Sequence, residues 1–277
     1  MRIAYIAAAT CNHGHKWISH FAKHHDVVLL CEENPRSLAL YAESPEVKIL
    51  PILPRSYPLR RIFRRGQAIS RVRSAISEHR AQVVHSMYAV PHSFWAHDIG
   101  FKNHIVTTRG SDVLVDYQRM RQPSGGFSNR IISYLLKRAF ERALRQARYV
   151  TSTSTRQQNS IRHLVEDPER LVLARTGVNV DGFVATYDSL RAAPKKEPLI
   201  FSNRGMLAIY DIGLVIDAFV LLRQNLGVPA RLVTINYPTE PVYHASIMAK
   251  IDACPLKDEI TVLDLRVGPQ LLQVYKD

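Results

Sequence analysis

The residues best suited to chemistry in this 277-residue chain stand directly after short apolar runs. Arg109-Gly110-Ser111-Asp112 follows the run 104–108, and Arg204 follows the run 199–202. These side chains at the end of a strand can bind a polar ligand, although Asp112 can equally cap the segment that follows. The guanidinium group of Arg204 can bind a diphosphate through two parallel N–H bonds, or can be a surface arginine of a basic chain.

Two further groups of polar residues occupy equivalent positions. Asn12, His13 and Gly14 follow the first apolar run and lead into a helix, whose unpaired backbone N–H groups can hold an anionic oxygen. Glycine lets a ligand approach closely. One glycine falls short of the GxGxxG fingerprint, however, so an ordinary strand-to-helix turn explains these residues as well. His85 and Tyr88 stand at the end of the run 82–86.

Several other chemistries lack their residue patterns. The twelve histidines form no HExxH or other metal-ligand spacing, so no metal site is expected. The chain is also expected to use no cofactor. Cys11, Cys31 and Cys254 form no CxxC pair, and we interpret them as reduced core or loop thiols of a cytosolic protein. Hydrolase and NTPase chemistry gain no support, because GxSxG and P-loop motifs are missing from the sequence.

The elements that must position the polar residues alternate between strand and helix. Short runs rich in Val and Ile predict strands at 2–9, 26–31, 47–53, 82–86, 104–108 and 148–152. Amphipathic segments predict helices at roughly 15–24, 58–80, 91–100 and 128–146. This alternation predicts a doubly wound α/β arrangement, with helices on both faces of a parallel sheet.

The alternation of predicted strands and helices begins again after residues 186–198, which we interpret as a solvated linker. Strands are predicted at 199–202, 231–235 and 260–263, with helices near 211–225 and 242–253 and a further helix opening near Gly268. The sequence therefore predicts two Rossmann-like domains, 1–185 and 199–277. Because an open parallel sheet normally has more than about three strands, we expect the second domain to be incomplete.

The charge is strongly positive, since 37 Lys and Arg stand against 24 Asp and Glu for a formal net charge of +13. Much of it lies in two segments, 55–80 and 119–148. Nucleic acid is not the expected partner, because the chain carries no zinc-finger or RNA-recognition signature. In 55–80, Leu59, Ile62 and Phe63 stand among arginines. This pattern predicts peripheral contact with an anionic membrane; the alternative is that the apolar face of this helix packs on the sheet.

Four segments resemble, in this order, the family 4 glycosyltransferases of the GT-B fold. Val83–Tyr88 resembles the strand of that family that ends in a histidine, and Thr107–Asp112 resembles its turn of threonine, arginine or histidine, glycine, serine and aspartate. Ala174–Phe183 resembles the segment that closes the first domain. Phe201–Arg204 followed by Tyr210–Phe219 resembles the strand and helix that open the donor-binding domain.

The resemblance implies a retaining, metal-independent transferase that moves a sugar from a nucleotide-sugar donor to a hydroxyl of a glycan or lipid-linked acceptor. It implies that Arg204 holds the leaving diphosphate, that Gly14 lends it a backbone N–H, and that Arg109 lies near the reacting carbon. Arg109 and Arg204 are the catalytic candidates. The donor-binding candidates are Gly14, Asn203, Arg204 and Tyr210, and the acceptor-binding candidates are Asn12, His13, His85, Tyr88, Ser111 and Asp112.

The chain departs from the family pattern in two places. Tyr210 stands where relatives often carry a lysine, and the family's pair of glutamates would lie beyond the last residue, Asp277. We therefore expect little transferase activity from these 277 residues alone. An inactive or partner-dependent truncated homologue and a nucleotide-sugar epimerase are the alternatives. The expected location is the cytoplasm, with peripheral contact at the inner face of the membrane.

Overall fold

The computed structural model describes residues 1–33, 38–42, 44–54, 57, 62–177, 180, 184, 187–188, 197–236, 240–264 and 269–276. The chain divides into two compact units, Met1–Gly177 and Val178–Asp277. We call them the first and the second unit. The division precedes the predicted linker 186–198, of which residues 186 and 189–196 lie outside the described part.

The first unit is built on a seven-stranded sheet in which every neighbouring pair is parallel. The strand order is β3-β2-β1-β4-β5-β6-β7. The chain thus adds strands on one side of β1, then returns and adds the rest on the other side. The strands are β1 Arg2–Ile6, β2 Asp26–Glu32, β3 Val47–Leu53, β4 Val83–Met87, β5 His104–Thr108, β6 Tyr149–Ser152 and β7 Leu171–Leu173.

Helices cover both faces of this sheet, as a parallel sheet requires. Alternate residues of β1 show the division: Ile3 and Tyr5 belong to the same buried cluster as Ile18 of the first helix, whereas Ala4 and Ile6 cluster with Val72 of the second. Both sets are therefore apolar. The helices are α1 Asn12–Ala22, α2 Ile62–Glu78, α3 His92–Asp98, α4 Tyr117–Arg121, α5 Phe127–Gln146 and α6 Thr155–Ile161.

The helix α2 packs on the sheet through its apolar side and pairs part of its charge within the unit. Val72 and Ile76 are buried, which is the alternative foreseen for the segment 55–80. Arg65 donates to Asp98 through Nε and Nη2, at 3.0 and 2.6 Å, and Arg71 pairs with Glu33. Residues 58–61, including Leu59, and the side chains of residues 62–63 lie outside the described part.

Across the described residues, the structure contains no helix both long and apolar enough to span a membrane.

The second unit repeats the pattern on a smaller sheet. Three parallel strands lie in the order β10-β9-β8. Ile212, Ile216 and Phe219 of the first helix of this unit form its core with Leu232 and Ile247. The elements are β8 Leu199–Gly205, α7 Ile212–Leu226, β9 Arg231–Asn236, α8 Pro241–Asp252, β10 Ile260–Asp264 and α9 Pro269–Lys276.

The predicted strands and helices are confirmed in type and order, but their ends shift. The first strand ends at Ile6 rather than at residue 9, and α1 begins at Asn12 rather than near 15. Three elements, β7, α4 and α6, were not predicted from the sequence. The Ser154-x-x-Gln157 spacing is a capping-box signature that marks the start of α6, and the Ser154 hydroxyl accepts a hydrogen bond from the Gln157 N–H.

We predict that the core side of α5 carries much of the stability of the first unit. Phe140 is fully buried and stacks on Tyr117 with 4.6 Å between ring centroids. Phe140→Ala should lower the free energy of unfolding by about 3–5 kcal/mol, because it leaves a cavity. Urea unfolding followed by tryptophan fluorescence reports on this unit, since Trp17 and Trp95 both belong to it.

The matched control is Phe127→Ala on the same helix, where the side chain is 79% exposed. It should change the unfolding free energy by no more than about 0.5 kcal/mol. Equal losses in the two variants would contradict the packing described for α5.

Candidate functional site

The order of strands reverses beside β1, so the loops after β1 and β4 diverge to opposite faces of the sheet. In open parallel sheets this is where a crevice forms for ligands. Asn12 and His13 follow β1, Tyr88 follows β4, and Arg109 follows β5. The structure therefore places these sequence-predicted residues along one edge of one sheet.

The loop after β1 forms a compact helix start. Cys11 caps α1, and its Sγ accepts a hydrogen bond from the Gly14 N–H at 3.4 Å. Gly14 is buried, and a Cβ added to it would lie 3.6 Å from the Cys11 Cβ and 3.9 Å from the Ala7 Cβ. Asn12 and His13 are exposed. This helix start can therefore present polar groups to a ligand while Gly14 lies against its own loop.

Arg109 ties two of the loops together. One guanidinium arm donates to the Thr176 hydroxyl at 2.6 Å, and the other donates to the His13 carbonyl at 3.3 Å. Its buried Nε finds no hydrogen-bond partner among the described residues. Burial lowers the pKa of Arg109 from its ordinary value. Arg109 thus joins the loop after β1 to the segment that ends the first unit.

The buried carboxylate of Asp112 stabilises the turn after β5 through hydrogen bonds to the backbone. Asp112 is fully buried, and its carboxylate accepts hydrogen bonds from the N–H groups of Ala89, Arg109 and Gly110 at 2.8–3.2 Å. Burial raises the pKa of this carboxyl group, and the backbone donors counteract the effect. The neighbouring Gly110 has φ +118°, a conformation that favours glycine. Because these donors precede Asp112 in the chain, the bonds hold the turn itself rather than cap the segment that follows.

His85 and Tyr88 occupy different surroundings. His85 lies within β4, is 6% exposed, and bonds through Nε2 to the Thr107 hydroxyl at 2.6 Å. Tyr88 is half-buried after the strand, and its hydroxyl bonds to the Ser111 hydroxyl at 2.6 Å. Of the predicted acceptor-binding residues, the structure thus brings Tyr88 and Ser111 together and places His85 in the interior of the sheet.

Hydroxyl groups link the ends of the neighbouring strands. Thr107 bonds to Thr151 of β6 at 2.7 Å, and Thr108 bonds to Ser152 at 2.9 Å. Thr108 also donates to the buried side-chain carbonyl of Gln157 at 3.1 Å. These residues fix the base of the site, and sequence reasoning missed Gln157 although the capping-box spacing marks it.

The second unit offers a separate cationic site at the carboxyl end of β8. The pairing of β8 with β9 slips between Ser202 and Gly205, so Asn203 and Arg204 form a bulge in which both side chains are exposed. The Arg204 guanidinium lies 5.1 Å from the centre of the Tyr210 ring. The predicted donor-binding residues Asn203, Arg204 and Tyr210 are thus neighbours. Among the described residues, no cluster of three or more His, Cys, Asp or Glu is placed to hold a metal ion.

A family model described as glycosyl transferase 4-like matches residues 2–154, which is more than half of the chain. The chain belongs to this family. Its matched part contains every candidate residue of the first unit. No sequence among curated proteins matches the chain significantly.

Solved structures share the fold of this glycosyl transferase 4-like chain at low identity. A sucrose-phosphate synthase from Thermosynechococcus elongatus matches with 14% identity and a TM-score of 0.67, over 99% of this chain and 72% of its own. HepE of Anabaena in complex with UDP-glucose matches with 12% identity and a TM-score of 0.65, over 98% and 70%. A UDP-GlcNAc 2-epimerase from Neisseria meningitidis, bound to UDP-GlcNAc, matches with 12% identity and a TM-score of 0.57, over 98% and 73%. The predicted GT-B arrangement of Rossmann-like domains is confirmed.

We predict that Asp112→Ala destabilises the first unit by about 2–4 kcal/mol, because it leaves buried N–H donors without an acceptor. Asp116→Ala is the control on the same segment, since Asp116 accepts one bond from the Tyr88 hydroxyl at 3.3 Å. The control should cost about 1 kcal/mol or less. Tryptophan-detected urea unfolding measures both variants, and similar losses would contradict the role of Asp112 in holding the turn.

A second prediction concerns pH. Burial lowers the pKa of both His85 and His104 to about 3. The unfolded chain binds these protons near pH 6.5 and the folded chain does not, so stability is full above that pH and falls as the pH drops towards 3. At pH 5 each histidine should lower the free energy of unfolding by about 2 kcal/mol relative to its value well above pH 6.5.

The His104→Gln variant tests this dependence. Its unfolding free energy should fall less between pH 7 and pH 5 than that of the parent chain, because one titrating group has been removed. An unchanged slope in His104→Gln would contradict the assignment.

Proposed function

We propose that this chain is a glycosyltransferase that moves a sugar from a nucleotide-sugar donor to an acceptor hydroxyl, with retention of anomeric configuration and without a bound metal. The observation that carries the proposal is the bulge at the end of β8. It presents Arg204 to solvent beside Tyr210, at the edge of a parallel sheet where ligands bind. The family membership supports the reaction class.

The proposed chemistry of Arg204 is electrostatic. When the glycosidic bond to the donor breaks, negative charge accumulates on the leaving diphosphate. A guanidinium group that offers parallel N–H donors stabilises this charge in the transition state. The Arg204 guanidinium lies over the Tyr210 ring, 5.1 Å from its centre, and this cation–π contact supports a direct role of the pair in donor binding.

The first unit would bind the acceptor. Asn12 and His13 are exposed after β1, and Arg109 fixes their loop through the His13 carbonyl. Tyr88 and Ser111 form a hydroxyl pair further along the same edge. These donors and acceptors suit a polyhydroxylated ligand, so we propose a glycan or lipid-linked acceptor. His85 would act from the interior of the sheet by positioning Thr107.

The solved structures suggest which donors to test first. HepE was solved with UDP-glucose and the epimerase with UDP-GlcNAc. We propose a UDP-sugar as the donor and a cytoplasmic location for the reaction. Incubation of the chain with each UDP-sugar and a panel of hydroxylated acceptors should release UDP only when an acceptor is present, and slowly, in keeping with the little activity expected from these 277 residues alone. NMR of the product should show the anomeric configuration of the donor.

The outcomes separate the alternatives. Conversion of UDP-GlcNAc without an acceptor would indicate an epimerase. Binding of UDP without any turnover would indicate the partner-dependent homologue. If the chain neither binds UDP nor turns over a UDP-sugar, the proposed donor site would be refuted. An inverted product would refute retention while leaving the transferase assignment in place.

We predict that Arg204→Ala weakens UDP binding by about 1.5–3 kcal/mol, a factor of roughly ten to a hundred and fifty. The loss reflects the charge-assisted hydrogen bonds to the diphosphate. Isothermal titration calorimetry measures the affinity. Arg231→Ala is a matched control, because Arg231 is exposed at the opposite end of the same sheet. Equal affinities of parent and Arg204→Ala would contradict the assignment.

A further inference from the structure

The side of α5 that faces away from the core carries an exposed apolar stripe. Phe127, Ile131, Tyr134 and Leu135 are 79%, 43%, 54% and 43% exposed. Their spacing of four, seven and eight residues places them on one side of the helix, opposite the buried residues of its last turns. Side chains of this kind are usually withdrawn from water, so a continuous exposed stripe indicates an interaction surface.

Arginines continue the same side of the helix. Arg138, Arg142 and Arg145 are exposed and follow the stripe at helical spacing. Arg138 also joins the two halves, since its Nη1 donates to the Tyr134 hydroxyl at 3.0 Å and its guanidinium lies 5.7 Å from the centre of that ring. We call these seven outward residues the α5 face.

The negative charge on α5 does little to oppose these arginines. Glu141 is the one acidic residue among the twenty of this helix. It accepts a hydrogen bond from the Tyr117 hydroxyl at 3.1 Å and lies 3.7 Å from the Lys137 ammonium. The helix carries five Lys and Arg against that single acid, a net charge of +4. Apolar contact and attraction for anions are therefore combined on one surface.

We propose that the α5 face docks on an anionic lipid membrane. Phe127, Ile131 and Leu135 would enter the boundary between headgroups and acyl chains, while the arginines contact the lipid phosphates. A helix of twenty residues extends about 30 Å, so it can lie along the membrane plane. The proposal goes beyond the proposed transfer reaction, because it concerns where the protein works.

Other occupants fit the face less well. Two copies joined through α5 would bring together two helices of net charge +4, which repel each other. Nucleic acid would leave the aliphatic groups of Ile131 and Leu135 without a suitable contact, since bases stack on aromatic rings. An anionic membrane offers acyl chains to the aliphatic side chains and phosphate groups to the arginines.

Vesicle co-sedimentation of the full chain tests the proposal without donor or acceptor, so its failure is distinguishable from failure of the transfer reaction. The chain should pellet with phosphatidylglycerol–phosphatidylcholine vesicles and stay in the supernatant with phosphatidylcholine alone. Replacement of Phe127, Ile131 and Leu135 by Ser should weaken binding at least about tenfold, since the inserting groups are lost. Replacement of Arg138, Arg142 and Arg145 by Gln should weaken it roughly a hundredfold.

The charge-matched control replaces Arg73, Arg156 and Arg162 by Gln; all three are exposed elsewhere on the first unit. It should retain most of the binding. Tryptophan-detected unfolding checks that each variant is folded, and Phe127→Ser alone provides a milder change that should still weaken binding. Equal binding to neutral and anionic vesicles would overturn the proposal, as would equal losses in the two arginine triples. So would a dimer in light scattering that the Ser triple dissociates, with no vesicle binding.

Discussion

Parallel pairing around β1 is the constraint on which the first unit depends. A parallel strand must be followed by a crossover before the next one begins, so every strand ends at the same edge of the sheet. The order β3-β2-β1-β4 then separates the loops after β1 and β4, which is the place where open parallel sheets bind ligands. The polar residues of the first unit gather there because of this geometry.

The loops at that edge are held by buried polar groups as well as by apolar packing. Asp112 accepts backbone N–H bonds from two loops, and Arg109 joins the loop after β1 to Thr176. Such networks are stable only when their members find partners, because an unpaired buried polar group costs about 1–3 kcal/mol. Residues that a ligand could contact therefore share their loops with residues that hold those loops in place.

The second unit positions its candidate cation by a different device. A regular strand would direct Asn203 and Arg204 to opposite faces of the sheet. The bulge in β8 releases both from the ladder and leaves them exposed beside Tyr210. The helix α5 also presents residues to the surroundings: one side supplies Phe140 to the core, and the α5 face on the other side exposes Phe127 and Arg138.

The sequence by itself determined the alternation of strands and helices, because runs of Val and Ile and amphipathic periods are local patterns. It also placed the candidate residues at strand ends. Four short segments carried the family resemblance. Only the tertiary structure decided which candidate residues are exposed to solvent. His85 is buried because β4 is covered on both faces, and Gly14 is buried against Cys11. The short β7 and the outward stripe of α5 were likewise set by long-range packing. Local periodicity shows that a helix has an apolar side, but burial depends on which neighbours the chain brings to that side.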